Sequence, residues 1–157
     1  MKVILRALHR LISAVVLFVW GIPQQLAGFL GMVFIFLKDR KSAVYTFNNN
    51  WPQGRGITAI VIVTGSNWGA VTLGNFIFMD ARAAGGIQAD RNDYIIVGNK
   101  TIRHEYGHTL QGAILGPLYL LVIGVASILH AAFDLNGEKP YMELWTERWA
   151  NKLAGVK

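Results

Sequence analysis

His104–Gln111 read HEYGHTLQ, inside a segment from Thr101 to Leu115 whose apolar residues keep helical spacing. On a helix, His104 and His108 project from one face, a turn apart. That spacing suits two ligands of a tetrahedral zinc ion. Glu105 is rotated about 100° around the axis, which leaves it beside the metal, where a general base for a metal-activated water must stand. The chain has 157 residues, four of them His and four Glu. Shuffled, it would contain H-E-x-x-H only about twice in a thousand trials, so coincidence on a solvated helix face is the weaker reading.

Outward from this helix, Asn99 or Thr101 is available as N-cap, and Pro117 forces a break or kink. Upstream, Ile57–Thr64, Ala70–Met79 and Tyr94–Val97 are β-branched or aromatic runs separated by Gly, Asn and Asp, which predicts a small sheet of about three strands. Downstream, Leu118–Phe133 is apolar apart from Ser127 and His130 and is short for a membrane span, so it reads as a buried core helix, with a membrane-facing one as the variant. Tyr141–Leu153 follows the turn DLNGEKP as a last helix. The fold class expected is α+β.

The chain begins with a different kind of segment. Leu11–Leu37 carries no charge over 27 residues. As one helix it would measure about 40 Å, against a hydrocarbon core of about 30 Å. Gly21, Pro23, Gln24 and Gln25 interrupt it, which suggests a kinked span or a re-entrant hairpin, with a soluble helical pair as the remaining possibility. Residues 1–41 hold six basic residues against Asp39 alone, a net of +5, while the rest of the chain has nine basic and eight acidic residues. Cations that bracket an apolar run fit lipid headgroups better than nucleic acid. The division expected is a membrane anchor over 1–41, a linker or loop over 42–56 rich in Asn, Gly and Pro, and a metal-binding domain over 57–157. Cysteine is absent, which excludes thiolate metal sites, thiol catalysis and disulfides.

Two histidines need a third ligand. The metzincin extension is excluded, because Gln111 and Ile114 stand where it requires Gly and His. In gluzincins the third ligand is a Glu on a later helix, and a residue four further on orients a zinc-binding His. Glu147 and Asn151, in TERWAN, resemble that pattern. Asp134, in DLNG, is the alternative third ligand, by a thin likeness to site-2 proteases. His130 reads as a satisfied core histidine. Tyr106, Tyr119 and Tyr141 are candidate phenols for a tetrahedral oxyanion, Tyr141 the nearest in sequence to Glu147. Gly107 weakens the helix by about 1 kcal/mol relative to Ala. Close approach of another element, such as a strand from Ala70–Met79, would explain it.

The stretches HEYGHTLQGAILGPLYLLVIGVASI and YMELWTERWANKL resemble a group of small bacterial proteins with an HEYGH-x-x-Q helix, a GPLYL segment and a TEKWAN-like end. Their apolar amino-terminal part has a Pro-Gln step like Pro23–Gln24. The resemblance implies a zincin-like, membrane-associated protein, placed in the bacterial cytoplasmic membrane, and implies no substrate. Together these readings predict a zinc metallopeptidase with ligands His104, His108 and Glu147, base Glu105, one zinc ion, and a peptide or protein substrate. The rival is a non-catalytic membrane protein that keeps the helix as a structural or partner-binding element.

Overall fold

The computed structural model describes residues 19–48, 57–65, 68–84, 99–133 and 143–156, together with Ile12 and Val15. The expected strand Tyr94–Val97, the alternative ligand Asp134 and the phenol Tyr141 lie outside the described residues. The element order is α1 (Ile22–Lys38), β1 (Ala43–Asn48), β2 (Thr58–Thr64), β3 (Ala70–Leu73), β4 (Phe76–Asp80), α2 (Lys100–Leu115), α3 (Val125–Phe133) and α4 (Trp145–Ala154). A 3₁₀ turn (Gly116–Leu118) and a π-helical turn (Leu120–Gly124) connect α2 to α3.

The protein is α+β. The four strands form one sheet in the order β1-β2-β4-β3, with β2 and β4 parallel and both outer pairs antiparallel. The expected strand over Ala70–Met79 is a hairpin, turning at Gly74 and Asn75. β1 corrects the linker expected over 42–56, since its first half is an edge strand in register with β2 from Ala43↔Val63 to Asn48↔Thr58.

The central strands are apolar on both sides, and side chains alternate between faces. One face buries Ala59, Val61, Val63, Ile77 and Met79 against Ile102 and Tyr106 of α2. The other buries Ile62, Phe76 and Phe78, with Met32 and Ile35 of α1 packed on them. A strand covered on both faces reads as a continuous apolar run, which is the character of TAIVIVT and FIFMD.

α1 is therefore a layer of the folded unit and not a detached anchor. The expected interruption is present: Gly21 is a turn residue and α1 starts beyond it with Pro23 in its first turn, where the missing N–H costs nothing. The Gln24 Nε2 and both ends of the Gln25 amide, groups misplaced for lipid, have protein partners. Buried Gln24 donates through Nε2 to the carbonyls of Gly112 (3.3 Å) and Gly116 (3.0 Å) at the end of α2. Gln25 donates to Asn75 Oδ1 at 2.8 Å and accepts from Asn75 N–H at 3.1 Å. Gly28 lies so near Leu73 O and Phe76 that a Cβ would overlap them.

The downstream apolar stretch is not the buried core helix expected. Beyond Pro117 the path bends by 109°, carrying the chain off α2. Tyr119 and Ile123 remain buried while Leu121, Val125, Ile128 and Leu129 are exposed. Among the described residues, no single helix is long and apolar enough to cross a membrane.

Candidate metal centre

α2 is anchored before it presents any chemistry. Asn99 is its N-cap, accepting from the backbone N–H of Thr101 (2.8 Å) and Ile102 (3.2 Å). Ile102 and Tyr106, four apart, fasten one face to the sheet. The Tyr106 hydroxyl donates to Ile57 O at 2.7 Å, and its ring meets Phe47 edge-on at 5.3 Å. Burial raises its pKa. Tyr106 is thus a packing residue, and Tyr119 is likewise buried, lying against Gly112.

The third candidate ligand arrives with α4, which crosses α2 at Gly107. A Cβ on Gly107 would overlap the carbonyl group of Ala150, so the glycine permits a helix crossing and not the strand approach expected. The crossing brings Glu147, fully buried at 0% exposure, against both histidines. One oxygen, Oε2, lies 3.0 Å from His104 Nε2 and 3.1 Å from His108 Nε2. His104, His108 and Glu147 form a cluster able to hold a metal ion, their ligand atoms all within 4.8 Å of one another.

The outer nitrogens determine which inner ones are bare. His104 Nδ1 is 2.8 Å from Asn151 Oδ1, as the four-residue spacing from Glu147 anticipates. His108 Nδ1 is 2.8 Å from Gln111 Oε1. The Gln111 amide has a forced orientation, because its Nε2 donates to Thr146 O at 2.7 Å, which leaves only the oxygen to face the ring. With amide oxygens accepting from both Nδ1–H groups, each neutral imidazole turns an Nε2 lone pair toward Glu147.

Two nitrogen lone pairs turned on one carboxylate oxygen, each about 3 Å from it, are repelled unless positive charge lies among them. In tetrahedral zinc, with bonds of about 2.0–2.1 Å, ligand atoms stand roughly 3.3 Å apart, close to the 3.0 and 3.1 Å here. Without metal, protons must serve. Burial alone favours neutral histidines, but hydrogen bonding to Glu147 and the charges of Glu105 and Glu147 outweigh it, and both histidine pKa values are raised. Burial pushes the Glu147 carboxyl up, yet bonding to His104 and His108 prevails and holds its pKa at about 2.

Glu105 stays off the cluster. It is buried and its Oε2 accepts from the Thr72 hydroxyl at 2.7 Å, while the same hydroxyl lies 3.1 Å from the Glu105 carbonyl. Thr72 belongs to β3, the outer strand beside α2. His130, half-buried on α3, is outside the cluster.

Gln111, Thr72 and Thr146 are the site residues that sequence reasoning missed. Gln111 had a local clue, since it follows His108 by three residues and so shares its face. Thr72 had none, because the sheet brings it in from 33 residues away. Compared with family models, curated proteins and solved structures, the chain has no match.

Proposed function

We propose that the protein is a zinc-dependent metallopeptidase of gluzincin-like type, with His104, His108 and Glu147 as ligands. The observation that carries this reading is the single Glu147 oxygen at 3.0 and 3.1 Å from two Nε2 atoms whose rings are both locked by amide oxygens behind them. An N₂O donor set of this kind suits zinc and leaves room for a fourth, exchangeable position. Zinc bound there would supply Lewis acidity that polarises a carbonyl and makes water nucleophilic near neutral pH.

The chain's own groups account for the rest. Glu105 follows the first ligand around the helix, near the metal without belonging to it. As general base it takes the proton of the attacking water and passes it to the leaving amine. The Thr72 hydroxyl orients that carboxylate. Among the described residues β3 pairs on one side only, with β4. Its other edge can accept an extended peptide by main-chain pairing, next to the residue that positions the base. This edge favours a peptide over other hydrolysable substrates.

Metal analysis and peptide-library cleavage test the proposal together. The purified chain is expected to hold one zinc ion and to cleave peptides, and Glu105→Gln to keep the zinc while cleavage falls by at least about a hundredfold. Stoichiometric zinc without Glu105-dependent cleavage would support the non-catalytic rival. A chain that binds no metal removes both the ligand assignment and the enzyme.

A further inference from the structure

The outward side of α1 is built for something other than water. A helix lying on a sheet normally turns a polar face to solvent. Here every exposed side chain from Ile22 to Leu37 is apolar. Ile22, Leu26, Phe29, Leu30, Val33 and Leu37 follow helical spacing on one stripe, and Leu30 and Leu37 are 57% and 78% exposed. The opposite side, with Gln24, Gly28, Met32 and Ile35, faces the protein. A second exposed apolar stripe begins past Pro117 with Leu121, Val125, Ile128 and Leu129. The segments that carry the two stripes touch near their starts, where Trp20 lies against Gly116 and buried Gln24 bonds the Gly116 carbonyl. Exposed apolar side chains in this number mark an interaction site.

Charge identifies the occupant. Lys38, Arg40 and Lys41 are exposed at the carboxy-terminal end of α1. The Asp39 carboxylate between them is turned to the backbone N–H groups of Lys41 and Gly65. The Lys38 ammonium lies 5.9 Å from the centre of the exposed Phe34 ring, a cation at the end of the apolar stripe. Lys2, Arg6 and Arg10 precede the apolar run in sequence. Apolar side chains flanked by cations, with no polar atom along the stripe to specify a protein partner, match an anionic lipid surface.

We infer that the stripes of α1 and of Leu121–Leu129 form one docking surface for an anionic bilayer, entered from the side and in the plane, without a span. The half of α1 that a span would expose to lipid is committed to the sheet and to α2. The inference rests on this surface and is independent of zinc.

Vesicle flotation of the full chain tests it, with phosphatidylcholine alone and mixed with phosphatidylglycerol. The chain is expected to float with both and more completely with the anionic vesicles. Leu30→Glu/Phe34→Glu and Leu121→Glu/Ile128→Glu should each cut the bound fraction at least tenfold, while Lys38→Gln/Arg40→Gln/Lys41→Gln should remove only the preference for anionic lipid. Far-UV circular dichroism shows whether each variant folds. Where a glutamate pair does not, the cysteine-free chain allows an environment-sensitive probe on Leu30→Cys, whose emission should shift to the blue when vesicles are added. Three results overturn the inference: no flotation with either vesicle, glutamate pairs that float like the parent, or a soluble dimer indifferent to lipid, which would give the surface to a second copy. Quenching of the probe only by lipids brominated near the bilayer centre would replace docking by a span.

Discussion

Two histidines on one helix face become a metal site only when something decides which ring nitrogen points inward. Asn151 and Gln111 make that decision. Gln111 also ties His108 to the start of α4 through Thr146 O, so one side chain orients a ligand and holds the helix that brings the third. Gln111→Ala is expected to weaken metal binding about 10–100-fold. Gln111→Glu keeps an acceptor for His108 but sets a carboxylate oxygen against Thr146 O, so it should weaken binding as well. Titration with zinc against a competing chelator reads both, and unchanged affinity in Gln111→Ala would remove this role.

Protons and metal compete for the same pocket, with opposite pH dependences. In the metal-free protein the raised histidine pKa values favour the folded state below the ordinary value of 6.5, a contribution lost as pH rises through the raised values. Glu147 contributes above its ordinary 4.5 and loses that contribution as pH falls toward about 2. For these three groups, metal-free stability is greatest between about 4.5 and 6.5 and declines toward alkaline pH. Metal binding must expel the protons, so affinity falls on acidification, by up to about a hundredfold per pH unit where both histidines are charged. Thermal melts of the metal-free chain and zinc titrations across pH check the two slopes.

Between elements, the distance from α2 to α4 is set at Gly107. Alanine is the better helix former by about 1 kcal/mol. Its methyl group, however, would overlap the Ala150 carbonyl, and forcing apart a close-packed contact costs about 1–3 kcal/mol. The overlap should win. Gly107→Ala is expected to lower the melting temperature and to weaken zinc binding more than tenfold, because Glu147 moves away with α4. Calorimetry and metal titration on one sample would show it, and a stabilised variant with unchanged affinity would contradict the crossing. The sequence announced that something approaches Gly107 but not what, since a missing side chain marks proximity without naming the neighbour.

Over the whole molecule, the legible parts are those written in local chemistry. HEYGH, the Asn99 cap and the Glu147/Asn151 spacing lie within single helices: Asn99 caps α2, and His104, His108, Glu147 and Asn151 come together. Sheet order was hidden, because β2 pairs with β4 across the hairpin arm β3, and no local pattern encodes that choice. β1 was obscured by the Asn, Pro and Gly that follow AVYTF, although Phe47 is part of the core. The apolar amino-terminal run was ambiguous for a physical reason: a helix buried on protein and one facing lipid have the same composition. Gln24 and Gln25 separate the cases on the inner side, because their amides find carbonyl and amide partners in the folded chain.

That pair of glutamines also governs how the protein can be cut. A chain shortened to begin at residue 42, the obvious choice for a tractable fragment, would strip Ile62, Phe76 and Phe78 of their cover and take from the Gly112 and Gly116 carbonyls the side-chain donor that supplements their backbone ones. α1 covers the sheet face opposite α2, so a fragment made without it would open that apolar face to water and be less soluble than the whole.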